Sequence, residues 1–208
     1  SCGMERVKIY SSKGMPVDSG AGLYAQTIMQ ALPLLPVEEE GRLMDPVLRE
    51  NFIERVFVYH RWQSLCDSGI TAAKLVDFHT NHKFSLLAHD EESYRELGKI
   101  VAAAGSADLP QLAERYAMLL MTAMKKRASR KLHSNVLMHI MGFLKDRIDK
   151  DDKAELLEIF EKYRPGQLPL IVPVTLLKHH LRRHPDPYIS RQYYLQPHPE
   201  ELMLRNSL

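Results

Sequence analysis

The chain has 208 residues, of which 45% are hydrophobic and 26% are charged, and its formal net charge is +2 at pH 7. Two distant cysteines, Cys2 and Cys66, argue against a disulfide scaffold, and no apolar run reaches the roughly 20 residues that a membrane-spanning helix needs. We therefore predict a cytoplasmic protein with no part in the membrane.

The small net charge conceals an uneven distribution along the chain. Residues 121–195 carry 15 Lys and Arg against 8 Asp and Glu, a balance of +7, whereas residues 1–120 carry 12 against 16, a balance of −4. A positive excess confined to one part of a chain favours a surface that faces a polyanion.

The chain begins with a candidate cluster ligand. Cys2-Gly3 precedes a β-type run that contains Val7, Ile9 and Tyr10, and the glycine lets the backbone pass close to a bulky inorganic group. This arrangement suits a loop cysteine that binds a metal or a cluster. The alternative is that Cys2 is a small buried hydrophobic residue.

The rest of the first 44 residues has an α/β character. Gly20-Ala21-Gly22 precedes a predicted helix over residues 23–32. A Gly-rich turn before a helix can cradle a phosphate, but this one lacks the third glycine and the Lys-Ser/Thr pair of the known fingerprints. A plain turn is the alternative interpretation.

From Asp45 onward the pattern is helical. Asp45-Pro46 combines an N-cap with a proline at the first helical position, and the following apolar residues recur at steps of three and four. Further helices are predicted over residues 71–87, 91–104, 109–127, 132–148, 152–164, 173–184 and 188–195. The sequence predicts a mainly α protein, a bundle of about seven to eight helices preceded by a short α/β segment.

A cluster of five cations lies at one predicted connection between helices. The cations are Lys125, Lys126, Arg127, Arg130 and Lys131. Fixed cations of this kind bind phosphates by releasing condensed counterions. The alternative is a solvated helix end, but one or two cations are enough to offset a helix dipole.

The predicted helix over residues 173–184 has an apolar face and a basic face. Val174, Leu177 and Leu181 recur at steps of three and four and are predicted to be buried. The other side carries Lys178, His179, Arg182 and Arg183. Like charges four residues apart mildly destabilise a helix, and a bound RNA or other polyanion would explain them. A tolerated, solvated face is the alternative.

Histidines and tyrosines supply weaker signals. His180 and His184 have the spacing of a zinc pair but no third ligand nearby, and His79, His82 and His89 are interpreted as structural. The three tyrosines close to the basic helix offer faces on which unpaired bases stack, or else belong to the core. They are Tyr188, Tyr193 and Tyr194.

Three stretches near the start resemble a known family. Residues 1–7 (SCGMERV), 20–23 (GAGL) and 34–43 (LLPVEEEGRL) are similar to the carboxy-terminal end of the thiouracil desulfidase (TudS-like) domain. Residues 1–44 are therefore predicted to be the remnant of a truncated α/β domain.

Residues 45–208 resemble the YbgA-like domain, an all-α domain often fused behind that desulfidase. The stretches that carry this resemblance are 82–90 (HKFSLLAHD), 133–139 (HSNVLMH), 163–173 (YRPGQLPLIVP) and 175–179 (TLLKH).

The resemblance implies a function for an intact parent protein. The family's desulfidase domain holds a four-iron four-sulfur cluster through three cysteines, and its open iron takes sulfur from a thiolated pyrimidine. Cys2 matches the last of those ligands, while Cys66 matches none. The implied parent is a desulfidase acting on thiouridine in tRNA, with the helical domain as its RNA-binding module. The chain alone, without the missing N-terminal part, is expected to be inactive and without a cluster.

Two other functions stay open at this stage. The helical domain would be a structural or protein-interaction module if its cations are merely solvated, or it would have an enzymatic activity of its own. No Ser/His/Asp order or carboxylate pair in the sequence identifies a site for such an activity.

Overall fold

The computed structural model describes residues 7–10, 16–20 and 22–207. It begins with a two-stranded antiparallel hairpin, in which β1 (Val7–Tyr10) pairs with β2 (Pro16–Gly20), with Val7 opposite Gly20. The strand predicted after Cys2-Gly3 is thus confirmed. That residues 1–44 are the remnant of a larger α/β domain stays a prediction.

The remainder of the described chain is helical, which confirms the mainly α fold. The eight α-helices in the described residues are α1 (Leu23–Ala31), α2 (Pro46–Asp67), α3 (Ala72–His89), α4 (Glu91–Ala102), α5 (Leu109–Lys125), α6 (Arg130–Gly142), α7 (Lys150–Tyr163) and α8 (Ile171–Arg183). A 3₁₀ helix (Glu40–Met44) precedes α2, and four short 3₁₀ turns between Ile189 and Ser207 follow α8. None of the helices in these described ranges is both long and apolar enough to cross a membrane.

Capping side chains fix where the helices begin. The Asp45 carboxylate accepts hydrogen bonds from the backbone N–H groups of Val47 and Leu48 at 2.8 and 3.2 Å, and Pro46 is the first residue of α2, as predicted. Ser129 caps α6 in the same manner, so the basic cluster lies in a short, fixed connection between α5 and α6. Such caps stabilise a helix by about 1 kcal/mol each.

Helix α3 separates two hydrophobic cores. On one side Phe78 packs with Trp62 of α2 and Tyr116 of α5, with ring centroids 5.4 and 6.2 Å from its own. On the other side Phe84 belongs to a second core with α6, α7, α8 and the buried Tyr194 of the C-terminal segment. The basic helix α8 is therefore anchored to the second core by its apolar face.

The structure corrects two predicted helices. Residues 188–195 do not form one helix but two 3₁₀ turns, Ile189–Arg191 and Tyr193–Leu195, because Gln192 between them is extended. The Gln192 side chain donates instead to the backbone carbonyl of Thr80 on α3, at 2.9 Å. Helix α6 ends at Gly142 rather than at residue 148, and turns follow it.

The buried face of α2 also differs from the prediction. The three- and four-residue pattern of Leu48, Phe52, Val56, Tyr59 and Trp62 predicted an apolar stripe. Trp62 is buried as predicted, but the other four side chains are only partly buried. The buried face carries Val58 and Trp62 together with four polar residues, Glu50, Asn51, Glu54 and Arg55. A face that mixes charge with apolar residues needs polar partners from other elements.

Candidate functional site

The five cations where α5 meets α6 are all exposed, and at least two of them also hold the fold together. Arg127 and Lys131 are exposed, and so is Lys125 at the end of α5. Lys126 is exposed too, and it pairs with Asp90, with its Nζ 2.5 Å from the carboxylate. The sequence predicted that all five cations would bind phosphate, whereas in the structure Lys126 also forms an ion pair within the fold.

Arg130 contributes to the fold. Its guanidinium donates to the backbone carbonyls of Tyr163 and Leu168, at 3.4 and 3.3 Å, and lies over the Tyr163 ring at 5.3 Å. Gly166 has a φ of +92°, and a Cβ there would lie 3.4 Å from the Arg130 guanidinium carbon. These contacts tie the start of α6 to the segment just before α8.

Helix α8 has an apolar and a basic face, as its sequence predicts, but Leu181, which was predicted to be buried, is only partly buried. Val174 and Leu177 are fully buried, whereas His179, Arg182 and Arg183 are exposed. Among the residues that the structure describes, neither arginine makes an ion pair.

Lys178 lies partly buried beside this basic face. It is ion-paired with Glu200 of the C-terminal segment, and together with Arg182 it lines a groove between α8 and that segment. Lys131 lines a different groove, with His139 and Arg164. The structure thus brings Lys178 and Arg182 together and places Lys131 elsewhere.

The tyrosines near α8 are engaged within the protein. Tyr194 is fully buried, and its hydroxyl lies 3.0 Å from Nδ1 of His133. The Tyr193 ring packs on His82 and has the Arg61 guanidinium 3.9 Å above its centre, while Tyr188 stacks on Phe143. Core packing, which was the alternative to base stacking, describes Tyr194, whereas Tyr188 and Tyr193 are partly buried with their rings in contact with other side chains.

The histidines and cysteines do not form a metal site in the described ranges 7–10, 16–20 and 22–207, where no three His, Cys, Asp or Glu side chains are placed so that they could hold a metal ion. His180 is buried, with Nδ1 3.7 Å from a carboxylate oxygen of Asp152. Cys66 is a partly buried free thiol whose pKa is raised by burial. Cys2, the candidate cluster ligand, lies outside the described residues.

A buried polar centre lies where α2, α3 and the C-terminal segment meet. Arg205 donates from Nε to Glu50 at 3.2 Å and from Nη1 to the Tyr194 carbonyl at 2.6 Å, and its Nη2 lies 3.9 Å from Glu54. Glu54 also accepts from Ser85 at 2.8 Å. All these side chains are buried in the protein interior. Removing Arg205 would therefore leave two uncompensated carboxylates, and removing the glutamates would leave an uncompensated guanidinium.

His89 completes the centre. Its Nδ1 lies 2.6 Å from the Lys126 carbonyl and its Nε2 lies 3.4 Å from Glu54. Burial alone would lower the pKa of His89, but the hydrogen bond and the charge of Glu54 outweigh it and raise that pKa. Burial likewise opposes ionisation of Glu54, and the hydrogen bond and charge of His89 outweigh burial and lower the pKa of Glu54. The two groups form a buried imidazolium–carboxylate pair.

Sequence reasoning missed this centre, although a signal was present. Glu50, Glu54, Val58 and Trp62 recur at steps of four, so the acidic pair continues a face that is apolar further along α2. Two glutamates on a helix's buried face indicate cationic partners from elsewhere. The partner Arg205, however, is 155 residues from Glu50.

Comparison with known proteins gives two matches. Residues 83–199 match the family described as Protein of unknown function (DUF1722). The chain is also similar to an uncharacterized protein, YbgA, of Escherichia coli (strain K12), with 32% identity over 154 residues that cover 74% of this chain and 91% of that protein. No solved structure matches the chain.

Proposed function

The chain belongs to the DUF1722 family, and on that premise we propose that its helical part is an RNA-binding module whose target is tRNA. The matches confirm the YbgA-like domain that the sequence predicted, but their descriptions name no function. The proposal therefore depends on the surface of the helical part and on the charge that this surface carries.

One observation carries the proposal. Arg182 and Arg183 project from α8 into solvent, and within the described residues no carboxylate lies within 4.0 Å of either. The apolar side of the same helix, at Val174 and Leu177, is locked into the core, which fixes the direction in which the arginines point. Arginine's planar guanidinium matches phosphate geometry, and fixed cations gain free energy by releasing counterions from RNA.

The exposed cations of the α5–α6 junction, Arg127 and Lys131, lie towards the N-terminal end of α8, and Arg182 and Arg183 lie at its C-terminal end. Arg130 contacts Leu168, three residues before α8 begins, so the exposed Arg127 and Lys131 belong to the connection on that side. At 1.5 Å per residue, Ile171 and Arg182 are about 17 Å apart along the helix. We propose that a strand of RNA running along α8 contacts both elements, which supplies about four to six phosphate contacts.

Salt dependence tests the RNA-binding proposal. Affinity for tRNA is expected to fall steeply with salt, with a log–log slope of roughly −0.9 per phosphate contact on duplex regions and less on single strands. The double variant Arg182→Glu/Arg183→Glu should bind about tenfold more weakly and show a slope flatter by about 2, measured by filter binding at several salt concentrations. Because both positions are exposed, the free energy of unfolding should change by less than about 0.5 kcal/mol per site.

A matched control makes the same change in net charge elsewhere. Arg95 and Lys99 are exposed on α4, in the acidic part of the chain, and Arg95→Glu/Lys99→Glu should leave the slope unchanged. Equal losses in the two double variants would mean that only net charge matters. A parent chain without salt-sensitive tRNA binding would rule the proposal out.

The alternative function is a structural or protein-interaction module, and particular contacts favour it. At least three of the nine cations proposed to bind RNA already have partners within the fold: Lys126 with Asp90, Arg130 with two backbone carbonyls and Lys178 with Glu200. Under this alternative the cations stabilise the helical domain beside a fused partner, and the control experiment above shows no difference between the variant pairs.

We further propose, from the sequence resemblance, that the parent protein is a cytoplasmic thiouridine desulfidase. The described residues do not fit its four-iron four-sulfur cluster, because Cys66 lies on α2 in a mainly apolar groove beside Trp62 and Leu109 and has no ligand partners there. The cluster ligands would be Cys2 and two cysteines of the missing part of the desulfidase domain. We propose that the helical part positions tRNA for that domain.

Cysteine replacement tests this assignment. The 208-residue chain, reconstituted anaerobically with iron and sulfide, should remain colourless, because a cluster of this type needs several thiolate ligands. A polypeptide that restores the rest of the desulfidase domain should gain visible iron–sulfur absorbance and lose it on Cys2→Ser, while Cys66→Ser should keep it. A stoichiometric cluster in the 208-residue chain, held by Cys2 and Cys66, would contradict the assignment.

A further inference from the structure

A groove of about 610 Å³ separates α8 from the C-terminal segment, and no proposed role so far uses it. Thr175 and Leu181 of α8 form one wall, and Leu195, Met203 and Leu204 contribute to the other. The volume is within the usual range of small-molecule sites, which combine mainly apolar walls with a few polar groups.

The groove is lined by three buried polar side chains that lack part of their hydrogen bonding. Gln192, His198 and Arg205 are at most 7% exposed, and the Gln192 Oε1, His198 Nε2 and Arg205 Nη2 atoms have no hydrogen-bond partner within the described part of the chain. The nearest carboxylate oxygens lie 3.6 Å from His198 Nε2 and 3.9 Å from Arg205 Nη2. An unpaired buried polar atom costs about 1–3 kcal/mol, so a ligand that pairs with these atoms would be favoured.

At the mouth of the groove, the two cations Lys178 and Arg182 lie near a carboxylate of the protein itself, that of Glu200. Lys178 and Arg182 lie one helical turn apart on α8, and the Glu200 carboxylate is ion-paired with Lys178. The hydrogen bond from Lys178 and its charge, together with the charge of Arg182, lower the pKa of Glu200. An internal carboxylate thus lies near two cations that are suited to hold a phosphate.

We propose that this groove binds one unstacked nucleotide of the RNA, with Glu200 occupying the phosphate position until RNA displaces it. This inference rests on the proposed function. The nucleotide's phosphate would bind Lys178 and Arg182, and its base would lie between the apolar walls. Gln192 Oε1 would accept a hydrogen bond from the base, while Arg205 Nη2 would donate one to a base carbonyl group. A free mononucleotide has the same chemistry, so the experiment separates the two sources.

Two neighbouring glutamates provide the sharpest test. Glu200→Gln removes the carboxylate that is proposed to compete with the phosphate of the nucleotide. Glu201→Gln makes the same charge change at an exposed neighbour that does not line the groove. We expect Glu200→Gln to bind both tRNA and uridine 5′-monophosphate at least threefold more tightly than Glu201→Gln does, as measured by calorimetry. This size corresponds to the 0.2–1 kcal/mol of an exposed ion pair. Equal affinities of the two variants would overturn the proposal.

Blocking the groove tests where the base binds. Thr175 is an exposed groove residue, so Thr175→Trp should fill the groove without disturbing the core and should weaken uridine 5′-monophosphate binding at least tenfold. Thr122→Trp, a change at an exposed position of α5 that does not line this groove, should not. Inorganic phosphate alone should bind at least tenfold more weakly than the nucleotide. Equal binding of phosphate and nucleotide, or unchanged nucleotide binding by Thr175→Trp, would overturn the proposal.

The two proposals can fail separately. If the parent chain binds tRNA in a salt-sensitive way but uridine 5′-monophosphate binding does not depend on Thr175 or Glu200, the groove is not a nucleotide site and the RNA-binding function remains. If the nucleotide binds in the groove but tRNA does not bind the parent chain, the RNA-binding function is wrong. The groove would then be a site for a free mononucleotide, and the RNA part of this inference is overturned with it.

Discussion

Replacing Arg205 with alanine is expected to lower the free energy of unfolding by about 3–5 kcal/mol, because two glutamates would be left in the interior without their cation. The Arg205 and Glu50 side chains are 4% and 3% exposed, and Glu54 is buried with them. Water cannot replace the lost guanidinium at such a site. Urea unfolding at pH 7 measures the change directly.

A second arginine provides a matched control. Arg191 ties the same C-terminal segment to α3 through Asp77, at 2.8 Å, but both side chains are about half exposed. Arg191→Ala should change stability by no more than about 1 kcal/mol, because exposed ion pairs contribute little. Combining Arg205→Met with Glu50→Gln should recover part of the loss, because fewer unpaired charges stay buried. A loss for Arg205→Ala no larger than that for Arg191→Ala would show that the centre is not a buried ionic network.

Local signals in the sequence predicted most of the helices. The Asp45 cap, the proline after it and the three- and four-residue apolar pattern depend only on neighbouring residues, so they place helix ends without knowledge of the fold. The predicted helix over residues 188–195 failed for the opposite reason. There the Gln192 side chain bonds to Thr80, 112 residues away, and the segment follows the surface of α3 instead of its own helical preference.

In the proposed RNA-binding site, too, features set by neighbouring residues were predicted and features set by distant contacts were not. The exposure of Arg182 and Arg183 follows from the period of α8, and the sequence predicted it. The involvement of Lys126 and Arg130 in the fold could not be predicted, since their partners Asp90 and Tyr163 are distant in the sequence. The buried face of α2 was missed because its charged residues are compensated by Arg205 and His89, which only tertiary structure brings to them.

The buried centre also links stability to the proposed site. Arg205 both neutralises Glu50 and lines the groove beside α8, so one side chain anchors the C-terminal segment and shapes the groove. Glu200, the residue proposed to be displaced by RNA, belongs to the same segment. We therefore expect variants that weaken the centre to weaken nucleotide binding as well, whereas variants of Glu200 should change binding with little effect on folding.

Acid is expected to destabilise the protein below about pH 6.5, by several kcal/mol between pH 6.5 and 4.5. Burial lowers the pKa of His79 to about 4 and those of His82 and His133 to about 3. In this interval the unfolded chain binds protons at these histidines and the folded chain does not, so stability rises with pH. Each histidine contributes a slope of at most about 1.4 kcal/mol per pH unit.

The raised pKa of His89 makes stability fall as the pH rises, which is opposite to the effect of the three neutral histidines, and it does so at higher pH. Because its pKa is raised in the folded state, its contribution is fully present below about pH 6.5 and is lost as the pH rises through the folded value. The pKa of Glu54 is lowered, so its contribution is lost only as the pH falls below about 4.5. Together these shifts predict a maximum of stability near pH 6.5–7, measurable by urea unfolding across a pH series.

A single substitution isolates the acid effect. His82 stacks on Phe78, and its Nε2 is buried without a hydrogen-bond partner, so phenylalanine is a close replacement in shape. His82→Phe should reduce the slope of stability between pH 6.5 and 5 by up to about 1.4 kcal/mol per pH unit, because one titrating group is gone from the unfolded chain. If His82→Phe leaves the slope as steep as in the parent, His82 is protonated in the folded protein, and the prediction that it is buried in its neutral form is wrong.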